Sequence, residues 1–435
     1  GKDEFITKYR NIIGGNIDYI KTIDNARLKD KVKNNDPKAQ LEMFIRMTSG
    51  VVSDNEYDKW DLLEASANAG LPEAKARLAL HILLKKDLSN DDIDKALSLI
   101  TPVENDSPFA KYVLGRITET GVTDEKPDLE KAYQYYCESA ELGCEEAAVR
   151  RAYLLARGIG TSQTLEKRMG TVQLKNIARN TKNSYAYELL GMYYYETEQY
   201  TDSFSTFKEG AEITNDVYLE FRLAECYYGG IGTEKNYKKA FDLFNKASAN
   251  GNLEAKYKLG LCYYCGHGTT KDEAKAFNLF AEVAEKGNAA AKYYLGLCYY
   301  YGYSTEKNGR MAYENFAQTA NERSQAMCML GLCCLNGVGT DKNEKIAFKC
   351  FETAAERGSN VAQGYLGKCY YFAYGTNKNL DKAINCFDKA AANNDIESEF
   401  MLGVCYQEKR QKEEAIRHYK KAAENGHKRA KNFLE

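Results

Sequence analysis

The stretch AKYKLGLCYYCGHGTTKDEAKAFNLF, from Ala255 to Phe280, contains the pattern from which most of this chain is built. The pattern returns as AKYYLGLCYYYGYST from Ala291 and as AMCMLGLCCLNGVGT from Ala326. Self-similarity at a fixed period is typical of repeat proteins, in which each unit packs on its neighbours. The 435 residues therefore predict one elongated array rather than two or three globular domains.

The leucine of the Leu-Gly pair, taken here as position 0, can be followed along the chain. Its counterparts predict eleven units, with position 0 at Met43, Leu78, Leu114, Arg151, Leu190, Leu223, Leu259, Leu295, Leu330, Leu366 and Leu402. In the first helix of a unit, helix A, positions −4, 0, +3 and +4 share one face and predict a buried stripe. The glycine at +1 allows close approach of another helix, and the Gly-x-Gly-Thr turn predicts a left-handed C-terminal cap.

The second helix of each unit, helix B, places a small residue four positions before an aromatic one. Ala276 and Phe280 show the spacing, which recurs in the following units. Small and aromatic side chains on one helix face are suited to interlocking with a second helix. The unit is therefore predicted to be a helical hairpin.

The combined pattern, A-x-x-x-L-G-x-x-Y-x-x-G-x-G-T followed by K-A-x-x-x-F-x-x-A and a closing Gly, resembles the Sel-one-like repeat. This family is a relative of the tetratricopeptide repeat with a longer loop inside the hairpin. The resemblance implies an all-α fold, a right-handed α-solenoid of about eleven antiparallel helix-turn-helix repeats whose A helices line the concave face. It implies a protein that scaffolds other proteins, and it lends no catalytic residue and no cofactor.

The quality of the pattern predicts five segments. Residues 1–36 are predicted to be an N-terminal helical cap, residues 37–160 degenerate Sel-one-like repeats, and residues 217–426 regular ones. Residues 161–216 are predicted to be an irregular and tetratricopeptide-like unit, with a kink near 160–185, because Arg151-Ala152 replaces the preceding Leu-Gly pair. Residues 427–435 are predicted to be a C-terminal cap.

Charge and hydropathy exclude several classes of partner. The formal net charge is −2, and the charges are spread along the chain, so no basic field for nucleic acid is expected. No apolar run approaches the roughly 18 residues of a membrane span, so no direct membrane insertion is expected. The chain begins with Gly1 and not Met, which suggests a trimmed or processed chain and leaves a leader or anchor outside it open.

Thirteen cysteines first suggest a disulfide framework, but six of them occupy equivalent positions. These six, spaced by 36, 36, 35, 36 and 36 residues, are Cys226, Cys262, Cys298, Cys333, Cys369 and Cys405. Stacked helices lie roughly 8–10 Å apart, whereas a disulfide needs Cα atoms within about 7 Å. The cysteines are therefore interpreted as small buried residues of a protein in a reducing compartment, the cytoplasm. Cys137 and Cys144 are the one pair whose spacing would suit a disulfide.

No constellation of residues predicts catalysis, metal binding or nucleotide binding. Cys262 and Cys265 form a C-x-x-C with His267 nearby, but Cys262 is a core position and no second ligand pair follows. The four histidines are scattered over separate units. The glycine turns lack the G-x-x-x-x-G-K-[ST] pattern of a phosphate-binding loop that opens a helix, and their recurrence at the hairpins is explained by capping. We expect no enzyme, no metal and no cofactor.

A second face of helix A carries an unexpected series of aromatic residues. Positions −2 and +5 lie near 160° and 140° from position 0 on a helical wheel and are predicted to point away from helix B. Tyrosine combines rigid contact area with a polar group and is enriched at interfaces. We therefore predict a tyrosine-lined concave groove that binds a segment of another protein. Its residues are Tyr195, Phe221, Tyr228, Tyr257, Tyr264, Tyr293, Tyr300, Lys368, Tyr371 and Phe400. Packing between neighbouring A helices is the alternative explanation for any one of them.

Two functions remain open at this stage. The first is a non-catalytic scaffold or adaptor that holds a partner segment in the groove. The second is a regulatory or substrate-delivering subunit of an enzyme complex, of the membrane-associated degradation or cell-wall synthase type, with a secreted host-interaction protein as a further variant. The partner's identity and the oligomeric state do not follow from the sequence.

Overall fold

The computed structural model describes residues 23–48, 52, 54, 56–85, 88–122, 126–160 and 163–433. These residues form 24 α-helices and a short 3₁₀ turn at Thr101–Val103. The first and last helices, α1 (Asn25–Lys33) and α24 (Lys428–Asn432), flank eleven consecutive helical hairpins. The chain packs as two compact units, Gly1–Asn252 and Leu253–Glu435. The prediction of an all-α solenoid of about eleven hairpins is confirmed.

Unit 1 contains six hairpins, each an A helix followed by a B helix. They are α2 (Pro37–Thr48) with α3 (Lys59–Asn68), α4 (Pro72–Leu83) with α5 (Asn90–Ile100), α6 (Pro108–Thr120) with α7 (Leu129–Glu141), α8 (Glu145–Ala156) with α9 (Thr164–Asn180), α10 (Ser184–Glu196) with α11 (Tyr200–Thr214), and α12 (Val217–Gly229) with α13 (Tyr237–Ala249).

Unit 2 contains five hairpins of more uniform length. They are α14 (Leu253–Cys265) with α15 (Glu273–Glu285), α16 (Ala289–Tyr301) with α17 (Gly309–Thr319), α18 (Ser324–Asn336) with α19 (Glu344–Glu356), α20 (Asn360–Phe372) with α21 (Leu380–Ala391), and α22 (Ile396–Glu408) with α23 (Lys412–Glu424). Within each unit, a B helix packs against the A helix before it and against the next A helix, and consecutive A helices such as α18 and α20 also contact each other.

Three A helices of the regular repeats, α12, α16 and α18, end as the glycine pattern predicts. Gly230, Gly302 and Gly337 are left-handed C-caps, with φ of 73°, 80° and 69°. Ala373 occupies the same place in α20 with φ 63°, a conformation that is strained for a residue with a Cβ atom.

The residue before helix B closes the hairpin loop with two hydrogen bonds. The side chain of Asn343 accepts from the Ile346 backbone N–H at 3.0 Å and so caps α19. Its own backbone N–H donates to the carbonyl of Cys334, at position +4 of α18, at 2.7 Å. An Asn or Asp performs both tasks in the neighbouring repeats, at Asn236, Asp272, Asn308 and Asn379.

The hairpin of α8 and α9 reverses the usual arrangement of small residues. Ala152 replaces the glycine of helix A, while helix B contributes Gly170, where an added Cβ would lie 2.5 Å from the Ala156 nitrogen. The backbones of the two helices therefore touch directly, and α9 also packs on α10. The kink near 160–185 and the five-segment division remain predictions. Residues 1–22, 161–162 and 434–435, which include parts of both predicted caps, lie outside the described residues.

Candidate protein-binding surface

The relation between helices A and B is set by the glycine at position +1 and the aromatic residue of helix B. At Gly260 a Cβ would lie 2.8 Å from the Phe280 ring, and at Gly296, Gly331 and Gly367 the rings of Phe316, Phe351 and Phe387 would be 2.7, 2.7 and 2.6 Å away. The aromatic ring thus lies on the bare backbone of helix A. Because position +1 is at about 100° on the helical wheel, helix B covers the side of helix A toward positions +5 and −2.

This packing overturns the predicted exposure of position −2. Phe221, Tyr257 and Phe400 are buried and do not line an open groove. Their ring centroids lie 6.0, 6.1 and 5.5 Å from those of Phe244, Phe280 and Tyr419 in the B helix of the same hairpin. The aromatic character of position −2 is explained by the hairpin core, so these three residues are removed from the predicted binding surface.

Tyr293, also at position −2, is the partly exposed member of that series. Its ring lies 6.0 Å from Phe316 and 5.3 Å from Tyr294, and the Arg323 guanidinium lies 5.6 Å above it. Burial raises the pKa of the Tyr293 hydroxyl to about 12, against the opposing effect of Arg323. Tyr293 is therefore held in place, with part of its ring accessible.

The tyrosines at position +5 are half-buried in both units. In unit 1 the ring of Tyr228 lies 5.9 Å from Phe244, while Tyr195 is exposed and lies 5.5 Å from Tyr200. In unit 2 the rings of Tyr264 and Tyr300 lie 6.2 and 6.3 Å from Phe280 and Phe316 of their own hairpins. Each +5 ring therefore rests on helix B with one edge in solvent.

Tyr371 and Lys368, the remaining predicted residues, lie on α20 and are both partly exposed. Lys368 is 3.6 Å from Glu397, and Lys378 lies 5.0 Å above the Tyr371 ring. Burial, together with a hydrogen bond to Glu408, raises the pKa of the Tyr371 hydroxyl to about 12. These contacts restrict Tyr371 to one orientation.

The tyrosines at position +4 connect successive repeats, which the sequence did not indicate. Tyr299 meets Phe277 of the preceding B helix edge-on, with ring centroids 5.6 Å apart. Tyr370 and Phe348, and in unit 1 Tyr227 and Phe204, repeat this contact at 5.5 and 5.3 Å. The two adjacent tyrosines of a repeat therefore serve different contacts: position +4 packs on the previous hairpin and position +5 on its own.

The most exposed aromatic side chains of the A helices in unit 2 lie at position +6, which sequence reasoning missed. Tyr301 is 46% exposed and Phe372 is 48% exposed. Each stacks on an aromatic residue of its own hairpin loop, Tyr303 at 5.4 Å and Tyr374 at 5.5 Å. The sequence did contain a signal for these side chains: an aromatic residue at position +6 is followed by a second aromatic residue at position +8.

The cysteines are free thiols, and most of them are buried. All thirteen cysteines are unpaired, Cys137 and Cys144 included, and Cys265 is the exposed one. Burial raises the pKa of Cys262 to about 12 and that of Cys298 to about 11. Within the described ranges no group of three or more His, Cys, Asp or Glu side chains could hold a metal ion, and no helix is long and apolar enough to cross a bilayer.

The array of helical hairpins is an all-α repeat fold of the type that typically scaffolds protein–protein contacts. Residues 108–144 and six consecutive segments from 218 to 427 match the Sel1 repeat, together more than half of the chain. The chain therefore belongs to the Sel1 repeat family, whose fold is generally a non-catalytic scaffold.

A solved structure that covers most of the chain shows the same fold. The structure of c5321, described as a protective antigen of uropathogenic Escherichia coli strains displaying an SLR fold, is 24% identical, with a TM-score of 0.61 over 94% of this chain and 89% of that chain. A Sel1 repeat protein from Oxalobacter formigenes is 26% identical over 54% of this chain and 98% of its own, with a TM-score of 0.49. A comparison of this sequence with curated proteins found no match.

Proposed function

We propose that this protein is a non-catalytic scaffold or adaptor that holds a segment of another protein against the aromatic surface of its A helices. The surface in unit 2 comprises the accessible parts of Tyr264, Tyr293, Tyr300, Tyr301, Lys368, Tyr371 and Phe372. Tyr195 and Tyr228 supply the equivalent positions in unit 1. One observation carries the proposal: half-exposed aromatic rings recur at equivalent positions of successive repeats, each already fixed by a neighbouring ring.

Fixed rings favour binding because little side-chain freedom is left to lose. Ordering a flexible side chain at an interface costs about 0.5–1.5 kcal/mol. Tyr264, which touches Phe280, Tyr294 and Tyr303, has lost that freedom before a partner arrives. The surface therefore presents large contact area and polar hydroxyl groups in a preformed arrangement.

The spacing of the repeats suits an extended partner. Neighbouring helices pack roughly 8–10 Å apart, and an extended chain advances about 3.3 Å per residue. About every third residue of a bound segment would therefore meet the aromatic group of another repeat. A segment of about ten residues would span three A helices of unit 2.

Site-specific photo-crosslinking tests the proposal. A benzoylphenylalanine at Tyr301 should crosslink a partner protein, whereas the same residue at Lys349, on the exposed side of α19, should not. Mass spectrometry would identify the crosslinked segment, and its affinity for the purified chain would then be measured. If enzyme subunits were captured, the scaffold would serve as a regulatory or substrate-delivering subunit.

An alanine variant that tests the aromatic surface must leave the buried residues of the hairpins unchanged. The combination Tyr300→Ala, Tyr301→Ala and Phe372→Ala should weaken that affinity at least about tenfold while the thermal midpoint changes little, because these rings lie at the surface. Tyr257 is unsuitable because it is buried. Equal crosslinking at both sites, or unchanged affinity of the folded triple variant, would contradict the proposal.

A further inference from the structure

Helix α9 is apolar on two opposite faces. Gly170, Leu174 and Ala178 are buried in the hairpin. On the other side Leu165, Met169 and Val172 are 69%, 49% and 56% exposed. Their spacing of four and then three residues places them within about 60° on the wheel, centred opposite the buried face. We call these three residues the α9 stripe.

The other B helices show that this stripe is not a general property of the repeat. Six of them, α11, α13, α15, α17, α19 and α21, have a phenylalanine in place of Leu174, which allows these helices to be compared position by position. The equivalents of Leu165, nine residues before that aromatic residue, are Glu198, Lys235, Lys271, Lys307, Lys342 and Lys378. The equivalents of Val172 are Ser205, Asp242, Asn278, Glu314, Lys349 and Asn385. Met169 alone has apolar counterparts, at Met311 and Ile346.

The two positions that are charged or polar in those six hairpins are thus apolar in the hairpin of α8 and α9. A solvent-exposed helix face has no requirement for leucine and valine, and exposed apolar patches on soluble proteins are often sites of interaction. Because Leu174 and Gly170 already hold α9 in its hairpin, the stripe makes no contribution to the internal core. The stripe is therefore available to another molecule.

The charges around the stripe indicate the chemistry of that molecule. Helix α9 carries Lys167, Arg168, Lys175 and Arg179 against one acidic residue, Glu166. Arg179 is paired with Glu209 at 2.8 Å, and Lys167 lies over Gly158. Arg168 and Lys175 are exposed on the same edge of the stripe, and no described carboxylate forms an ion pair with either. An occupant with acidic side chains along one edge complements this arrangement.

We propose that the α9 stripe docks an acidic amphipathic helix of a partner protein. Apolar side chains of that helix, spaced by three and four residues, pack on Leu165, Met169 and Val172, and its Asp or Glu side chains lie beside Arg168 and Lys175. A second copy of the chain would bring two basic helices together, which electrostatic repulsion disfavours. The stripe contains no aromatic residue and only three apolar side chains, which is less than helices that lie in a membrane interface present.

This site is separate from the proposed aromatic surface. It lies on a B helix of unit 1, on the side away from its hairpin partner, so either proposal can fail without the other. The partner it requires is defined by charge and helical pattern and not by an extended segment.

A displayed peptide library tests the proposal with the full chain. The peptides are amphipathic helices whose apolar face, meant to pack on the α9 stripe, varies among apolar residues. The positions beside that face are all Glu in one half of the library and all Lys in the other half. Glu-flanked peptides should be enriched. Binding of a selected peptide, measured by fluorescence anisotropy, should weaken as salt is raised.

Three variants locate the binding. Leu165→Lys with Val172→Asn, which installs the residues of the hairpin of α14 and α15, should weaken binding about tenfold or more. Arg168→Glu with Lys175→Glu should do the same. The matched control, Lys235→Ala with Asp242→Ala, at the positions of the hairpin of α12 and α13 that correspond to Leu165 and Val172, should leave binding unchanged. Circular dichroism confirms that each variant is folded.

Five outcomes would overturn the proposal. Lys-flanked peptides could be enriched equally, or neither half enriched, or the selected peptide could bind the stripe variant as tightly as the wild type. Binding to vesicles of phosphatidylcholine and phosphatidylserine, lost in the stripe variant and without peptide binding, would assign α9 to a membrane surface. Dimerisation in sedimentation experiments, lost with Leu165→Lys and Val172→Asn, would assign it to a second copy of the chain.

Discussion

At the scale of single residues, the glycine after the repeat leucine determines how helices A and B meet. Gly260 has no side chain between its backbone and the Phe280 ring, and the same pairing recurs at Gly191 and Phe207 in unit 1. The close approach places the ring between positions −2 and +5, which is why Tyr257 packs in the core and Tyr264 is only half-exposed. In the hairpins that have it, this glycine thus decides which aromatic residues a partner can reach, whereas α8 and α12 have Ala152 and Ala224 in its place.

This pairing predicts that Gly260→Ala lowers the free energy of unfolding when the Phe280 ring is present but not when the ring is absent. Phe280→Ala should lower the free energy of unfolding by about 3–5 kcal/mol, because it empties a fully buried site. Gly260→Ala alone should lower it by about 1–3 kcal/mol, because the new Cβ would lie 2.8 Å from the ring. In the Phe280→Ala background the same change should be neutral or stabilising, because the ring is gone and alanine favours helix.

Urea denaturation of the wild type, the two single variants and the double variant measures this coupling. Strictly additive effects would show that the glycine and the ring are not in conflict. Destabilisation by Gly260→Ala in the absence of the ring would contradict the explanation for the glycine.

At the scale of elements, two kinds of residue hold the hairpin loop in place. One makes local hydrogen bonds, and the other is a glycine at which the backbones of two segments come close together. The Asn or Asp before helix B caps that helix and also bonds to the carbonyl of position +4 on helix A. The second glycine of the turn lies on the preceding hairpin: a Cβ at Gly339 would lie 2.0 Å from the Gly309 carbonyl oxygen. The loop therefore connects neighbouring repeats as well as the two helices of one repeat.

Asp272, which occupies the cap position where three later repeats have Asn, predicts a pH dependence confined to one hairpin. The Lys275 backbone N–H hydrogen bond lowers the pKa of Asp272 below its ordinary value. A lowered pKa means that the folded state favours the carboxylate, so the stabilisation is present above about pH 4 and is lost as the pH falls through the folded-state pKa. Asp272→Asn should therefore unfold near the wild-type temperature at neutral pH and above it in acid.

Thermal melts of wild type and Asp272→Asn between about pH 7 and pH 2.5 check this expectation. Asn308→Asp, at the same cap in the next hairpin, serves as the matched reverse variant and should acquire the acid sensitivity. A constant difference in melting temperature across the pH range would contradict the assignment.

At the scale of the whole molecule, the two units distribute their buried side chains differently. In unit 1 the buried apolar residues form one continuous core from Ile23 to Cys226. In unit 2 they form separate clusters, one centred on Phe280, one on Phe316, one on Phe351 and one on Phe387 and Tyr419. Repeat arrays derive stability from each unit and from neighbouring interfaces, so continuity of the core determines how far a local loss spreads.

Two matched core substitutions should therefore differ in how much of the chain becomes less protected from hydrogen exchange. Phe351→Ala should accelerate hydrogen exchange mainly in α18, α19 and the adjoining helices of unit 2. Phe207→Ala, which removes the equivalent ring in unit 1, should accelerate exchange over a longer part of that unit because its core is continuous. Hydrogen exchange with mass spectrometry compares the two, and an equally local response in both units would contradict this expectation.

Thiol labelling tests the burial of the cysteines. Cys265 is the exposed thiol of thirteen, and burial raises the pKa values of the core cysteines such as Cys262. With a thiol reagent near pH 8 we expect one cysteine to react before unfolding and thirteen after denaturation. Fewer than thirteen reactive thiols in the denatured chain would indicate disulfides and contradict the expectation of a reducing compartment.

The sequence by itself determined the hairpins, their number and their ends. Helix periodicity, the glycine at the C-cap and the small and aromatic residues of helix B act over a few residues, so they can be recognised wherever they recur. The reversal at Ala152 and Gly170 escaped this reasoning because the small residue moved from one helix to the other. Both helices have the expected spacing of small and apolar residues, but this spacing does not show that Gly170 of α9 lies against the backbone of α8.

Only the tertiary structure decided which surfaces are open. A helical wheel shows that positions −2 and +5 share a face, but it does not show from which side helix B approaches. The aromatic ring of helix B supplies that direction in each hairpin: Phe244, Phe280 and Tyr419 pack on Phe221, Tyr257 and Phe400, which are buried, while Tyr301 and Phe372 stay accessible. The α9 stripe became visible for the same reason, because exposure depends on how each helix is rotated against its neighbours and not on the spacing of its residues.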